Sequence, residues 1–219
     1  YNLGSLSDCV SKANVSAVSM SVGGVTGYMK GSAKIERCAN LGVVTGTGTT
    51  YTGGVVGQTL AGTSISECYN GGSITASKGS VGGVAGYTAG CKVNSCYNVG
   101  SVNCTAAAGN VGGIVGWFTG TVNLENSYNA GSVSGGKTIG AISGIGVDTQ
   151  LVNCYYLIGT AQYASGTKNF VGSSKSADEM KSELFVKTLG EAFKADEDGL
   201  NGGYPVLAWQ SAKHEHSYT

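Results

Sequence analysis

Apolar residues in the first two thirds of the chain follow neither a helical period nor a long alternation. They recur in two columns, Val25, Val55, Val84, Ile114, Ile142 and Ile35, Ile65, Val93, Leu124, Leu151, separated by clusters of Gly, Ser, Thr and Asn. Self-similarity of this kind marks a repeat architecture. A glycine block carries the first column: Gly23-Gly24-Val25-Thr26-Gly27 returns at Gly53, Gly82 and Gly112, and in degraded form at Gly140-Ala141-Ile142-Ser143-Gly144. Its second positions, 24, 54, 83, 113 and 141, are 30, 29, 30 and 28 residues apart. A second marker keeps the same period: Ile35-x-x-Cys38-Ala-Asn40, Ile65-x-x-Cys68-Tyr69-Asn70, Val93-x-x-Cys96-Tyr97-Asn98, Leu124-x-x-Ser127-Tyr128-Asn129 and Leu151-x-x-Cys154-Tyr155-Tyr156. A Gly-Ser-β-branched step then follows at Gly72, Gly100 and Gly131, and Tyr1-Asn2-Leu3-Gly4-Ser5-Leu6 matches the same fragment.

Each unit therefore holds three short β-favouring runs and no helix-length stretch. Equivalent turns of short strands predict a parallel β-solenoid of about five coils, each strand pairing with its counterpart one turn away at about 4.8 Å, for a height of roughly 24 Å. The two apolar columns become interior ladders, at roughly 1.5 to 3 kcal/mol per buried Val, Leu or Ile. Glycines are expected where the coil turns or backbones approach, so replacing Gly83 or Gly113 should strain it.

From about residue 157 the period stops and acidic residues gather, which divides the chain into repeats over 1–156, a capping region over 157–211 and a linker or the start of a further module over 212–219. Ser176-x-x-Glu179 is a capping box, followed by Met180, Leu184, Phe185 and Leu189 on one helical face and Gly190 as a stop, so one helix is predicted over 177–189. An open solenoid end invites pairing with other chains. The helix, Phe193 and the run Tyr204-Pro205-Val206-Leu207-Ala208-Trp209 are expected to cover it, while an exposed first coil should favour self-association.

The string Val111-Gly-Gly-Ile-Val-Gly116, then Gly120, Leu124, Asn126-Ser127-Tyr128 and Gly131-Ser-Val133, resembles the GLUG repeat of large bacterial surface proteins, including IgA-peptidase-type and filamentous-adhesin-like ones. The resemblance covers about residues 1 to 156 and implies a right-handed β-helix in a secreted or cell-surface setting, within a larger parent chain with neighbouring domains. Asn201 to Trp209 likewise resembles the closing segment that follows such repeats in gut Firmicutes surface proteins.

Composition narrows the function classes. Thirteen basic residues balance thirteen acidic ones and only 12% of the chain is charged, against roughly 25% in ordinary domains. This argues against nucleic acid as a partner. Apolar runs such as Val111 to Phe118 are too short to insert in a membrane.

Candidate chemistry is sparse. Cys38, Cys68, Cys96 and Cys154, with Ser127 in place of one, form a column that could be a redox or metal array or a stack of buried thiols. Cys9, Cys91 and Cys104 are read as lying off that column, with a disulfide among them left open. No CxxC spacing supports zinc, and no cofactor is indicated. Asn40, Asn70, Asn98 and Asn129 should stack as an amide ladder at a corner. If the cysteines point inward, Tyr69, Tyr97, Tyr128 and Tyr155 point outward as a stripe, and Tyr28, Tyr87 and Trp117 form another; exposed aromatics are candidate platforms for a host glycan or protein, or else ordinary cross-coil stacking.

Catalytic patterns are weaker. The two histidines, His214 and His216, lie in the tail, Glu36, Glu67 and Glu125 are scattered, and Asp148 is isolated. Asp196 to Asn201 lacks the full ligand series of a calcium loop. Thr45, Thr47, Thr49 and Thr50 do not recur from coil to coil. The expected function is a noncatalytic structural or adhesive module, with glycan or mucin binding through the aromatic stripes as the alternative and a carbohydrate-active β-helix enzyme as the third reading.

Overall fold

The computed structural model describes residues 2–48, 50–120, 122–146, 149–167 and 173–211; Thr49, Asp148, His214, His216 and the segment 212–219 lie outside the described residues. It is a parallel β-solenoid of about five turns. Registers follow the repeat: Leu6, Ile35, Ile65, Val93, Leu124 and Leu151 are successive partners, and so are Val15, Val44, Ile74, Val102 and Val133.

One turn comprises Ser64–Ser66 and Tyr69–Asn70 on a first face, Ile74–Ala76 on a second, Ser80–Gly82 on a third and Ala85–Ala89 on a fourth. The three predicted runs thus become five strands. The glycine block, read as one run, is divided by Gly82-Gly83 into strands on two faces, with Gly83 N bonding Gly112 O across the bend.

The first face is broken by a left-handed residue in every turn: Asp8, Arg37, Glu67, Ser95, Asn126 and Asn153 have φ between 49 and 57°. This kink explains the cysteine column. The next side chain turns inward and donates to the carbonyl two residues back, from Cys38 Sγ to Glu36 O (3.3 Å), Cys68 to Ser66 (3.1 Å), Cys96 to Asn94 (3.3 Å) and Cys154 to Val152 (3.5 Å). Ser127 does the same to Glu125 O at 2.8 Å. A small inward donor is required there, and thiol or hydroxyl serves. Cys9 bonds Ser7 O at 3.1 Å, so it is the column's first member rather than an off-column residue. All seven cysteines are free thiols.

The asparagine ladder stands at the corner between the first and second faces, as expected, with its side chains turned inward and fully buried. Asn40 Nδ2 donates to Asn70 Oδ1 (2.8 Å), Asn70 to Asn98 (2.7 Å) and Asn98 to Asn129 (2.8 Å), while the same amides bond the carbonyls of Gly42, Gly72 and Gly100. The glycine bend of the opposite wall presses against this ladder: a Cβ on Gly83 would lie 2.1 Å from Gly113 O and 2.5 Å from Asn98 Cγ, and one on Gly113 would lie 2.0 Å from Ala141 O and 2.4 Å from Asn129 Cγ. Ladder and glycines form a polar waist. On one side lies a core of Ile35, Ile65, Val93 and Leu124 with Val55, Val84, Ile114 and the thiols; on the other a smaller core holds Val44, Ile74, Val102, Val81, Val111 and Cys104. Where the repeat degrades, both waist elements change together, for Asn129 is in register with Tyr156 and the glycine position becomes Ala141.

Stacking does not stop at 156. Ile142 N bonds Ala164 O, Ser143 bridges to Ser165, and Ser173–Lys175 pairs with the segment Tyr155 to Leu157. A partial further turn therefore lies on the fifth coil.

The predicted helix is two. Helix α1 (Ala177–Met180) has the expected capping box, with Ser176 N bonding Glu179 Oε2 at 2.7 Å. Ser182 then starts α2 (Glu183–Leu189) as a new N-cap, its Oγ accepting from Phe185 N, and Gly190 ends it at φ 94°. The interruption shifts the helical phase, so Met180, Phe185 and Leu189 are buried while Leu184 is 75% exposed. An antiparallel pair, Phe193–Lys194 with Val206–Leu207, completes this region.

Candidate functional site

The cysteine and tyrosine columns alternate across the first face as expected, cysteines in and tyrosines out. Tyr69 stacks on Tyr97 at 4.8 Å with an interplanar angle of 9°, and Tyr97 on Tyr128 at 5.1 Å and 2°. Exposure is where the expectation fails. Tyr97 and Tyr128 are 1% and 0% exposed, because the helices and the closing segment that follow the partial turn lie along this flank rather than over the solenoid's end. Phe185 packs edge-on against Tyr155 (5.2 Å) and Tyr128 (6.0 Å), Phe193 leans on Tyr128 (5.9 Å), and Trp209 covers Tyr69 (5.8 Å).

The hydroxyls are claimed as well. Tyr97 donates to Gln210 Oε1 at 2.9 Å, Tyr128 donates to Pro205 O and accepts from Asn201 Nδ2 at 2.8 Å, and Trp209 Nε1 reaches Glu67 O at 3.0 Å. Burial pushes the Tyr97 and Tyr128 phenols well up from their ordinary value. This stripe is an intramolecular docking surface for the cap, not an open platform.

The second aromatic group is different. Tyr28, Gln58, Tyr87, Trp117 and Ile145 are register partners on the fourth face. Tyr51, from the third face one turn earlier, crosses the small Ser80 position and stacks on Tyr87 at 4.6 Å and 27°. Trp117 stands edge-on to Tyr87 at 5.2 Å and 6.3 Å from Tyr51. Tyr51 lies outside the recurring motifs, on the strand Tyr51–Gly53 that opens the glycine block. All these aromatics are half-buried. Tyr87 OH and Thr119 Oγ1 share a 2.5 Å hydrogen bond, and Ser21 Oγ donates to Gln58 Oε1 at 2.8 Å. Beside Gln58 a shallow cleft is lined by Ser19, Met20, Ser21, Gly27 and Tyr28.

Glu36 and Glu125 do not stand at the spacing of a glycosidase pair. Glu36 and Glu125 share one column but are three turns apart, Ser66 and Asn94 intervening; at about 4.8 Å per turn that is roughly 14 Å, beyond the roughly 5 to 9.5 Å between catalytic carboxyls of glycosidases. Glu36 instead meets Arg37 Nη1 at 2.9 Å, and Arg37 holds Asp8 of the preceding turn at 2.7 and 2.9 Å. Asp196 is occupied by its own loop: its carboxylate accepts from the amides of Leu200 (2.7 Å), Asn201 (2.8 Å) and Gly203 (2.9 Å). That is a ligand set for backbone N–H groups, not for calcium. Among the described residues no group of three or more His, Cys, Asp or Glu side chains is placed to hold a metal ion, and no helix is long and apolar enough to cross a membrane.

Comparison with known proteins is consistent with the repeat at the level of fold. No protein-family model matches the chain, and no curated protein matches it. Among solved structures, it is similar to the crystal structure of a "putative immunoglobulin A1 protease" from Bacteroides ovatus, with a TM-score of 0.61 and 19% identity, over 94% of this chain and 76% of that one. At that identity the likeness is one of fold.

Proposed function

We propose that this chain is a noncatalytic, rigid β-solenoid module of a secreted or cell-wall-attached bacterial surface protein, its 29-residue unit being of the GLUG type. The observation that carries the proposal is the asparagine waist. It ties each turn only to its neighbours by backbone and side-chain amides, so the rod's length scales with the number of turns and its stiffness does not depend on a ligand. A flank sealed by the C-terminal region adds a further buried aromatic and aliphatic cluster. The separation of Glu36 from Glu125 and the engagement of Asp196 support a noncatalytic reading, and the resemblance of the repeat to those of bacterial surface proteins supports the extracellular setting.

Antibodies raised against residues 1–211 provide the test. They should label intact, unpermeabilised cells of the source bacterium or recover the protein from its medium. Label restricted to lysed cells would contradict the proposal.

A further inference from the structure

The chain carries two outward aromatic groups, and among the described residues only one is covered by the chain's own side chains. On the covered flank every tyrosine ring meets a Phe or Trp, and the Tyr97 and Tyr128 hydroxyls each have a partner. The cluster of Tyr51, Tyr87 and Trp117 has no such cover among the described residues, although its rings are fixed by mutual stacking and by the Tyr87–Thr119 hydrogen bond.

We infer that the Tyr51–Tyr87–Trp117 cluster, with the Gln58 amide at its rim, is a binding platform for a neutral saccharide chain. Three features favour a sugar over other occupants. The rings present amphipathic surface, apolar faces bordered by hydroxyl and indole N–H, which matches a pyranose whose C–H face is apolar and whose rim is hydroxylated; the electron-rich ring faces attract those C–H groups. The neighbouring groups are the hydroxyls of Ser21 and Thr119 and the amide of Gln58, suited to paired hydrogen bonding with sugar hydroxyls. The adjoining cleft is lined by Ser19, Met20, Ser21, Gly27, Tyr28 and Gln58, with no Asp, Glu, Lys or Arg among them, so an acidic glycan or a charged peptide meets no countercharge there. Rigid rings held in register also lose little side-chain entropy on binding.

The inference deepens the surface-module reading by assigning one face a ligand class, yet it can fail alone: saccharide binding is measured on purified protein, and location on cells.

The experiment is titration of the full chain with neutral oligosaccharides (gluco-, manno-, xylo- and galacto-configured), read by fluorescence in a Trp209→Phe background so that Trp117 is the reporter, and by calorimetry in the natural sequence. At least one neutral oligosaccharide should bind and change Trp117 emission. Trp117→Ala and, separately, Tyr51→Ser should each weaken binding at least tenfold, with melting temperature followed to confirm folding; Tyr87→Phe, which keeps the ring, should weaken it less. The inference is overturned if no neutral saccharide binds at millimolar concentration, if binding survives both ring replacements in folded protein, or if the patch proves to be covered by a second copy, seen as a concentration-dependent dimer that Trp117→Ala abolishes.

Discussion

Gly83 and Asn98 face each other across the solenoid's waist so closely that a Cβ on the glycine would lie 2.5 Å from the asparagine Cγ, with the backbone oxygen of Gly113 nearer still. Neither neighbour is the free end of a flexible side chain. Gly83→Ala is therefore expected to destabilise by about 3 kcal/mol through overpacking, whereas Gly4→Ala, with nothing within 4 Å of its Cβ, should stay within about 0.5 kcal/mol. Urea denaturation of the pair checks this, and equal midpoints would contradict the waist.

Asn98 receives the Asn70 amide and donates to Gly100 O and Asn129 Oδ1, all out of water. Asn98→Leu strands those partners, at about 1 to 3 kcal/mol for each buried group left unsatisfied. A loss of at least about 3 kcal/mol is expected. Asn98→Asp should cost as much or more, because a carboxylate still accepts from Asn70 but cannot donate onward and brings a charge into the interior. A stability near the natural chain's for either variant would sink the ladder as a source of stability.

On the covered flank, Tyr128→Phe removes the hydroxyl that bonds Pro205 and Asn201 while leaving the ring stack intact. The expected cost is about 1 to 3 kcal/mol. It should appear first as faster proteolysis within 176–211, since that region alone loses its anchor. Unchanged cleavage there would contradict the docking described.

Alkali should weaken the fold. Burial raises Cys96 and Cys154 from 9.0 to about 12, and Tyr97 and Tyr128 shift upward for the same reason. A raised folded value means the unfolded chain loses its proton first, so the contribution is complete below about pH 9 and falls as pH climbs toward 12. The denaturation midpoint should be lower at pH 10.5 than at pH 7.5. Cys96→Ser should reduce that drop at little cost at neutral pH, since Ser127 already fills the same role. A flat profile from pH 7.5 to 10.5 would contradict these burials.

The columns of Val55 and Ile65 were legible because each position recurs every 29 or so residues in the same surroundings, so period alone places them inside. Cys9 escaped because Val10-Ser11 stand where later units have Tyr-Asn, though the spacing from Leu6 is unchanged. The four-faced cross-section was hidden because a Gly-Gly bend and a continuous strand have similar composition. Burial of Tyr97 and Tyr128 depends on residues up to 113 positions away in a stretch without repeats, where period says nothing about contact. The break at Ser182 was readable only as a second N-cap competing with helical continuity. Tyr51 joined the candidate site through a crossing between faces that no spacing rule expresses.

The central claim is that residues one repeat apart sit directly above one another in parallel strands. Ser16, Thr45, Thr75, Asn103 and Ser134 are successive partners on the second face, so nitroxide labels at positions 16 and 134, in a Cys9→Ser background that removes the most accessible native thiol, span four turns. Pulsed electron spin resonance should give a single narrow distance near 19 Å, four steps of about 4.8 Å. A broad distribution, or a distance beyond about 30 Å, would contradict the stacked solenoid.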